Sequence, residues 1–147
     1  MSIPYQLRPA SMEDIEFLMY LEKEAFKQFP EVMKRFNEEH QKEHYEHHFQ
    51  PKYVCIIELA HQPIGAVSIL TRRKDISIVY LYVLSEFQDK NIDKSLIKRV
   101  LTRAKEEVKT VVTCVFKGDT QAKNMCDSLG FEVFAEDDLR WRVKWIP

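Results

Sequence analysis

The chain has 147 residues, 45% of them hydrophobic and 12% aromatic, which supplies a core for one domain and argues against disorder. Lysine and arginine number 22 against 23 aspartates and glutamates; the formal net charge of −1 gives no global attraction to nucleic acid or to an anionic membrane. No run of about 18 apolar residues suggests a membrane span, and residues 1–9 lack the basic-then-apolar order of a signal peptide, so a single cytoplasmic domain over 1–147 is expected.

Residues 5–8 read as a first strand, stopped by Pro9. Ser11 then opens a helix, with Asp14 three residues later in a capping-box arrangement. Ile15, Leu18, Met19, Ala25, Phe26 and Phe29 recur at helical spacing, and Glu22 is the one polar interruption. Pro30 breaks that helix and starts a second, which carries Val32, Met33 and Phe36, turns very polar and ends near Phe49. Residues 53–59 and 64–70 form a hairpin-like strand pair around a His61-Gln62-Pro63 turn. Residues 76–84 make a long third strand whose near-continuous apolarity predicts burial on both faces.

Ile92 begins an amphipathic helix with Leu96, Ile97, Val100, Leu101, Ala104 and Val108 on one face. Residues 110–116 form a buried strand. Residues 121–129 form a short helix with Ala122, Met125, Cys126 and Leu129 in line, and Gly130 ends it in a left-handed conformation. Residues 131–134 and 139–145 make a terminal strand pair across the acidic turn Glu136-Asp137-Asp138. The order β-α-α-β-β-β-α-β-α-β-β is that of an α/β chain with a mixed sheet. Strands joined by tight turns should be antiparallel, and the pair joined through the Ile92 helix parallel.

Three cysteines, Cys55, Cys114 and Cys126, are odd in number and widely spaced; buried free thiols in a reducing compartment are the simplest reading, and no CxxC pair suggests zinc. His40, His44 and His48 fall at i, i+4 and i+8, with His47 a turn from His44. No residue elsewhere completes a metal site, and Glu39, Glu43 and Glu46 interleave as on a solvated face, so no metal is expected; His48 or Glu43 is instead a candidate to meet an amine. Trp141 and Trp145 read either as core or as the exposed mark of a homodimer interface.

Three segments sharpen the picture: LYVLSEFQDKNIDKSLI at 81–97, AKNMCDSLGFE at 122–132 and IIELAHQPIGAVSI at 56–69. In this order and at these separations they resemble the GCN5-related N-acetyltransferase (GNAT) superfamily over essentially the whole chain. The first looks like the family's loop motif Q/R-x-x-G-x-G/A, and the second like its A-x-x-L-Y-x-x-x-G-F segment. The resemblance implies a GNAT fold and transfer of an acetyl group from acetyl-CoA to a primary amine, carried by a small molecule or a peptide, by direct attack. It implies that backbone N–H groups of Gln88, Asp89, Lys90, Asn91, Ile92, Asp93, Lys94 and Ser95 face the coenzyme A pyrophosphate at a helix N-terminus. Val83 and Leu84 would pair their backbone with the pantetheine arm and hold the oxyanion.

The sequence departs from the motif at several of these positions. Asn91 stands at the first glycine, and asparagine tolerates positive φ. Asp93 stands at the Gly/Ala position and sets a carboxylate against the phosphates, costing roughly 1–3 kcal/mol before screening, while Lys90 and Lys94 flank it. Asp93 also reads as an ordinary first-turn helix acid. Cys126 takes the place of the tyrosine that protonates the departing thiolate, or simply packs in the core. Tyr80 stands near the family's strand carboxylate, and Tyr82 shares its face, so both are candidates to line the acceptor cleft. Asn91, Asp93 and Cys126 together raise the alternative of a non-catalytic binding or regulatory protein.

Overall fold

The computed structural model describes residues 4–147, which carry seven strands in one mixed sheet of order β1-β2-β3-β4-β5-β7-β6. The residues group into two compact units.

The first unit comprises the described residues up to Ser68 together with Leu81–Ile92. Its edge strand β1 (Gln6–Pro9) ends on Pro9, where the missing N–H costs little. β1 pairs antiparallel with β2 (Val54–Leu59), and β2 pairs antiparallel with β3 (Gln62–Thr71). The β2–β3 turn is Ala60-His61, both at positive φ (50° and 66°), as a two-residue hairpin turn requires. It lies one step ahead of the expected His61-Gln62-Pro63. The Ser11–Asp14 capping box forms, and α1 (Ile15–Lys27) follows a short 3-10 turn, burying Leu18 and Leu21. Arg8 ties the unit together: it bonds both oxygens of Asp14 at 2.8 and 2.9 Å and Glu58 at 2.9 Å.

The expected second helix is two helices, α2 (Pro30–Lys34) and α3 (Glu38–His47). The interruption has a local cause. Asn37 is an N-cap whose side chain accepts from the amides of Glu39 (2.9 Å) and His40 (3.1 Å).

The second unit comprises Ile69–Tyr80 and Asp93–Pro147. β4 (Asp75–Val83) runs parallel to β5 (Thr110–Phe116) in a register of four pairs, Asp75↔Thr110 to Ile78↔Thr113. α4 (Ile92–Glu107) supplies the crossover, as parallel pairing demands. β7 (Arg140–Trp145) lies antiparallel between β5 and β6 (Glu132–Glu136). α5 (Thr120–Ser128) is capped by the Asp119 side chain on the Ala122 amide. Ile76, Val111, Ala104 and Val143 are fully enclosed.

Three expectations about burial are corrected. β4 is not buried on both faces along its whole length: Ile76 and Ile78 are enclosed on one face, while on the other Val83 is covered but Val79 is 54% exposed. Only Cys126 is a buried thiol; Cys55 is half-buried, and Cys114 is exposed because it lies on the opposite strand face from buried Val111 and Val115. Trp141 and Trp145 are half-buried rather than exposed. Lys123 sits 5.5 Å over the Trp141 ring, and Trp145 lies beside Gly130.

Candidate functional site

The end of β4 is fixed by a close backbone approach. A Cβ on Gly65 would lie 2.3 Å from Tyr82 O, so only glycine lets β3 come this near. Leu84 N–H donates to Ile64 O at 2.8 Å and belongs to that β3 contact. Strand alternation directs the Val83 N–H and C=O the other way. Of the two residues expected to meet coenzyme and oxyanion, Val83 therefore has the outward-directed amide and Leu84 does not. Gly65 was legible only as a glycine with a backbone reason.

A 3-10 turn, Ser85–Lys90, follows, and Gln88 folds back so that its side-chain Nε2 donates to Val83 O at 3.0 Å. Asn91 is left-handed (φ 57°, ψ 27°), the conformation a motif glycine would supply. α4 then begins at buried Ile92.

The first amides of α4 lack helical partners. Asp93 Oδ1 accepts one of them, Lys94 N–H, at 2.8 Å. A carboxylate of the protein thereby satisfies part of the positive helix end. Asp89, Lys90 and Ser95 complete the segment and lie at or near its surface.

In the second unit, Asp93 acts on two groups near α5. Burial first, then the Asp93 charge, raises the Asp119 carboxyl above its ordinary range, against the Ala122 amide that favours its anion. Cys126 is 2% exposed, and burial, with Asp127, Asp119 and Asp93 adding, pushes its thiol up to about 11. Such a thiol keeps its proton at neutral pH. Giving that proton to a leaving thiolate of ordinary pKa, about 8.5, runs uphill. Packing is what its surroundings favour. Tyr80 is half-buried on β4.

In the first unit, a cleft of about 160 Å³ opens between α1 (Tyr20, Leu21, Glu24, Gln28) and the segment Val83 to Glu86. The next stripe of α1 carries Glu22 and Phe26, and the Phe26 ring meets Tyr82 edge-on at 6.1 Å. Gln41 of α3, itself buried, donates to Met19 O (3.0 Å) and Glu22 Oε1 (3.1 Å). His48 and Glu43, the candidates to meet an amine, are exposed. His44 and His48 stack at 6.4 Å, and among the described residues no group of three or more His, Cys, Asp or Glu is placed to hold a metal. Glu22 was visible only as the polar break in an apolar stripe.

The structure thus combines a mixed sheet, a short parallel β4–β5 register and a left-handed residue, Asn91, ahead of α4. The sequence matches the profile of the acetyltransferase (GNAT) family over residues 15–131, and the chain belongs to that family. It is an N-acetyltransferase that takes its acetyl group from acetyl-CoA.

The PaiA N-acetyltransferase from Thermoplasma acidophilum, solved in complex with coenzyme A, superposes with a TM-score of 0.73 at 16% identity, over 99% of this chain and 100% of that one. Arabidopsis thaliana Naa50, in complex with the bisubstrate analogue CoA-Ac-MVNAL, gives 0.69 at 15% identity, over 97% and 99%. A spermidine N-acetyltransferase SpeG chimera from Vibrio cholerae and hSSAT gives 0.67 at 18% identity, over 97% and 95%. At these identities the likeness is one of fold. No curated protein sequence matches the chain. The non-catalytic alternative draws no support from the family match or these neighbours. Among the described residues, no helix is long and apolar enough to cross a membrane.

Proposed function

We propose that the chain, acting as one domain over residues 1–147, acetylates a primary amine by direct attack on acetyl-CoA, with no covalent enzyme intermediate. The neutral amine nitrogen adds to the thioester carbonyl, the C–N bond forms, the C–S bond breaks, and coenzyme A leaves as the thiolate. The amine's surplus proton passes to solvent. The observation that carries this reading is that Val83, beside the α1 cleft, gives its C=O to a side-chain amide, Gln88 Nε2, at 3.0 Å. Its N–H is the oxyanion donor, and its C=O takes the pantetheine amide once Gln88 yields. Backbone amides of Gln88 to Ser95 meet the pyrophosphate, with Asp93 giving up Lys94 N–H. Tyr82, and Tyr80 on the same strand face, line the acceptor side. A reducing, cytoplasmic setting suits three free cysteines.

The test is coenzyme A release from acetyl-CoA in the presence of small amines and peptides, with the product weighed by mass spectrometry. Release that requires an amine and yields one N-acetyl product per thiol is the expected result. Thiol release without an amine, or none with any amine, would contradict the reading.

A further inference from the structure

Glu22 stands out among the groups left without a role. It is a half-buried carboxylate on the apolar stripe of α1, and burial raises its pKa above the ordinary glutamate value even though the Gln41 hydrogen bond and the nearby His44 act the other way. A carboxylate set into an apolar stripe and held by a buried side chain is a candidate functional group.

Its two oxygens differ. Oε1 accepts from Gln41, which is anchored in turn on Met19 O. Among the described residues Oε2 accepts no hydrogen bond, yet no enclosed side-chain oxygen is left unpaired. Oε2 therefore reaches solvent. It does so one helical turn from Phe26, whose ring abuts Tyr82, the residue before the Val83 amide. The neighbouring cleft adds Glu24 and Glu86 against the single ammonium of Lys27, which Glu24 already holds at 3.0 Å.

We propose that Glu22 is an acceptor-binding carboxylate, whose open oxygen holds a second, non-reacting cationic group of the amine beside the Phe26–Tyr82 ring pair. The acceptor class is then an amine that carries another positive charge, rather than an amino acid with a free carboxylate. This rests on the amine-acetylating reading above.

The probes are 1,4-diaminobutane and butylamine, compared in the wild type and in Glu22→Gln, with acetyl-CoA affinity and the melting temperature measured alongside. The wild type should prefer the diamine by about 10-fold or more in kcat/KM, the range of a charge-assisted hydrogen bond. Glu22→Gln should erase that preference through KM while acetyl-CoA affinity holds and melting is unchanged or raised. A preference that survives the substitution overturns the proposal and leaves the acetyltransferase reading intact. So does a marked fall in melting temperature with an equal loss for both amines, since Glu22 would then be only a clamp between helices. Should neither protein release coenzyme A with any amine, calorimetric titration of 1,4-diaminobutane decides separately. Binding to the wild type that Glu22→Gln abolishes sustains the cation site; no binding, or equal binding, overturns it.

Discussion

Asp93 and Gln88 each place a side-chain group on a backbone atom of the proposed coenzyme site: a carboxylate on Lys94 N–H, and an amide on Val83 O. In the proposed binding mode the coenzyme exchanges these internal contacts for its own. Asp93→Ala should therefore strengthen acetyl-CoA binding by about tenfold, with the gain larger at low salt, because removing a carboxylate near a pyrophosphate relieves a screened repulsion; calorimetry at two salt concentrations checks this. Cys126 leads to a different expectation. Buried and with its thiol pushed up to about 11, it should stay unlabelled in the folded protein at pH 8. Exposed Cys114 should react first, as mass-resolved labelling with iodoacetamide would reveal. At this scale the sequence was informative where one residue type has one physical use. Asn91 stood at a motif glycine and adopts the left-handed backbone that a glycine would. Glu22 showed only as an interruption, because its meaning depends on Gln41, 19 residues away.

At the scale of elements, the strongest local mismatch is Val108. It closes α4 at φ 54°, a conformation that disfavours β-branched side chains, and it is 77% exposed. Val108→Gly should stabilise the protein by about 1 kcal/mol, raising the melting temperature by about 2–4 °C in a scanning measurement. The Arg8 cluster sets an acid dependence. Hydrogen bonding to Arg8 holds the Asp14 carboxyl below the usual aspartate range. A depressed folded-state pKa contributes stability that is present above the unfolded value, about 3.9, and is lost as the pH falls toward the folded one. Arg8→Ala should thus lower stability at neutral pH and flatten its acid decline below about pH 4, read by urea melts across pH. Most elements were legible, since their periods of 3.6 and 2 survive in the apolar pattern. The break between α2 and α3 was not, because Asn37 acts through two backbone hydrogen bonds and leaves the polar pattern around it unchanged. Nor was the exposure of β4 at Val79, because a valine is apolar whether covered or exposed.

For the whole molecule, the family match runs from residue 15 to residue 131, through both compact units, and includes the segment from Val83 to Ser95 proposed to receive the coenzyme. Element order and three short motifs carried the resemblance from sequence to fold, because each motif encodes a backbone need: a close strand approach at Gly65, a left-handed residue at Asn91, a helix end at Gly130. The acceptor was not legible in the same way, since amine recognition depends on side chains that folding brings together, such as Glu22, Phe26 and Tyr82. The most direct test of the account is calorimetric titration of acetyl-CoA into the purified wild-type protein at low and moderate salt. The account predicts one site per chain with a dissociation constant on the order of micromolar, weakening as salt rises. No heat of binding up to about millimolar coenzyme, in the wild type and in Asp93→Ala alike, would contradict it.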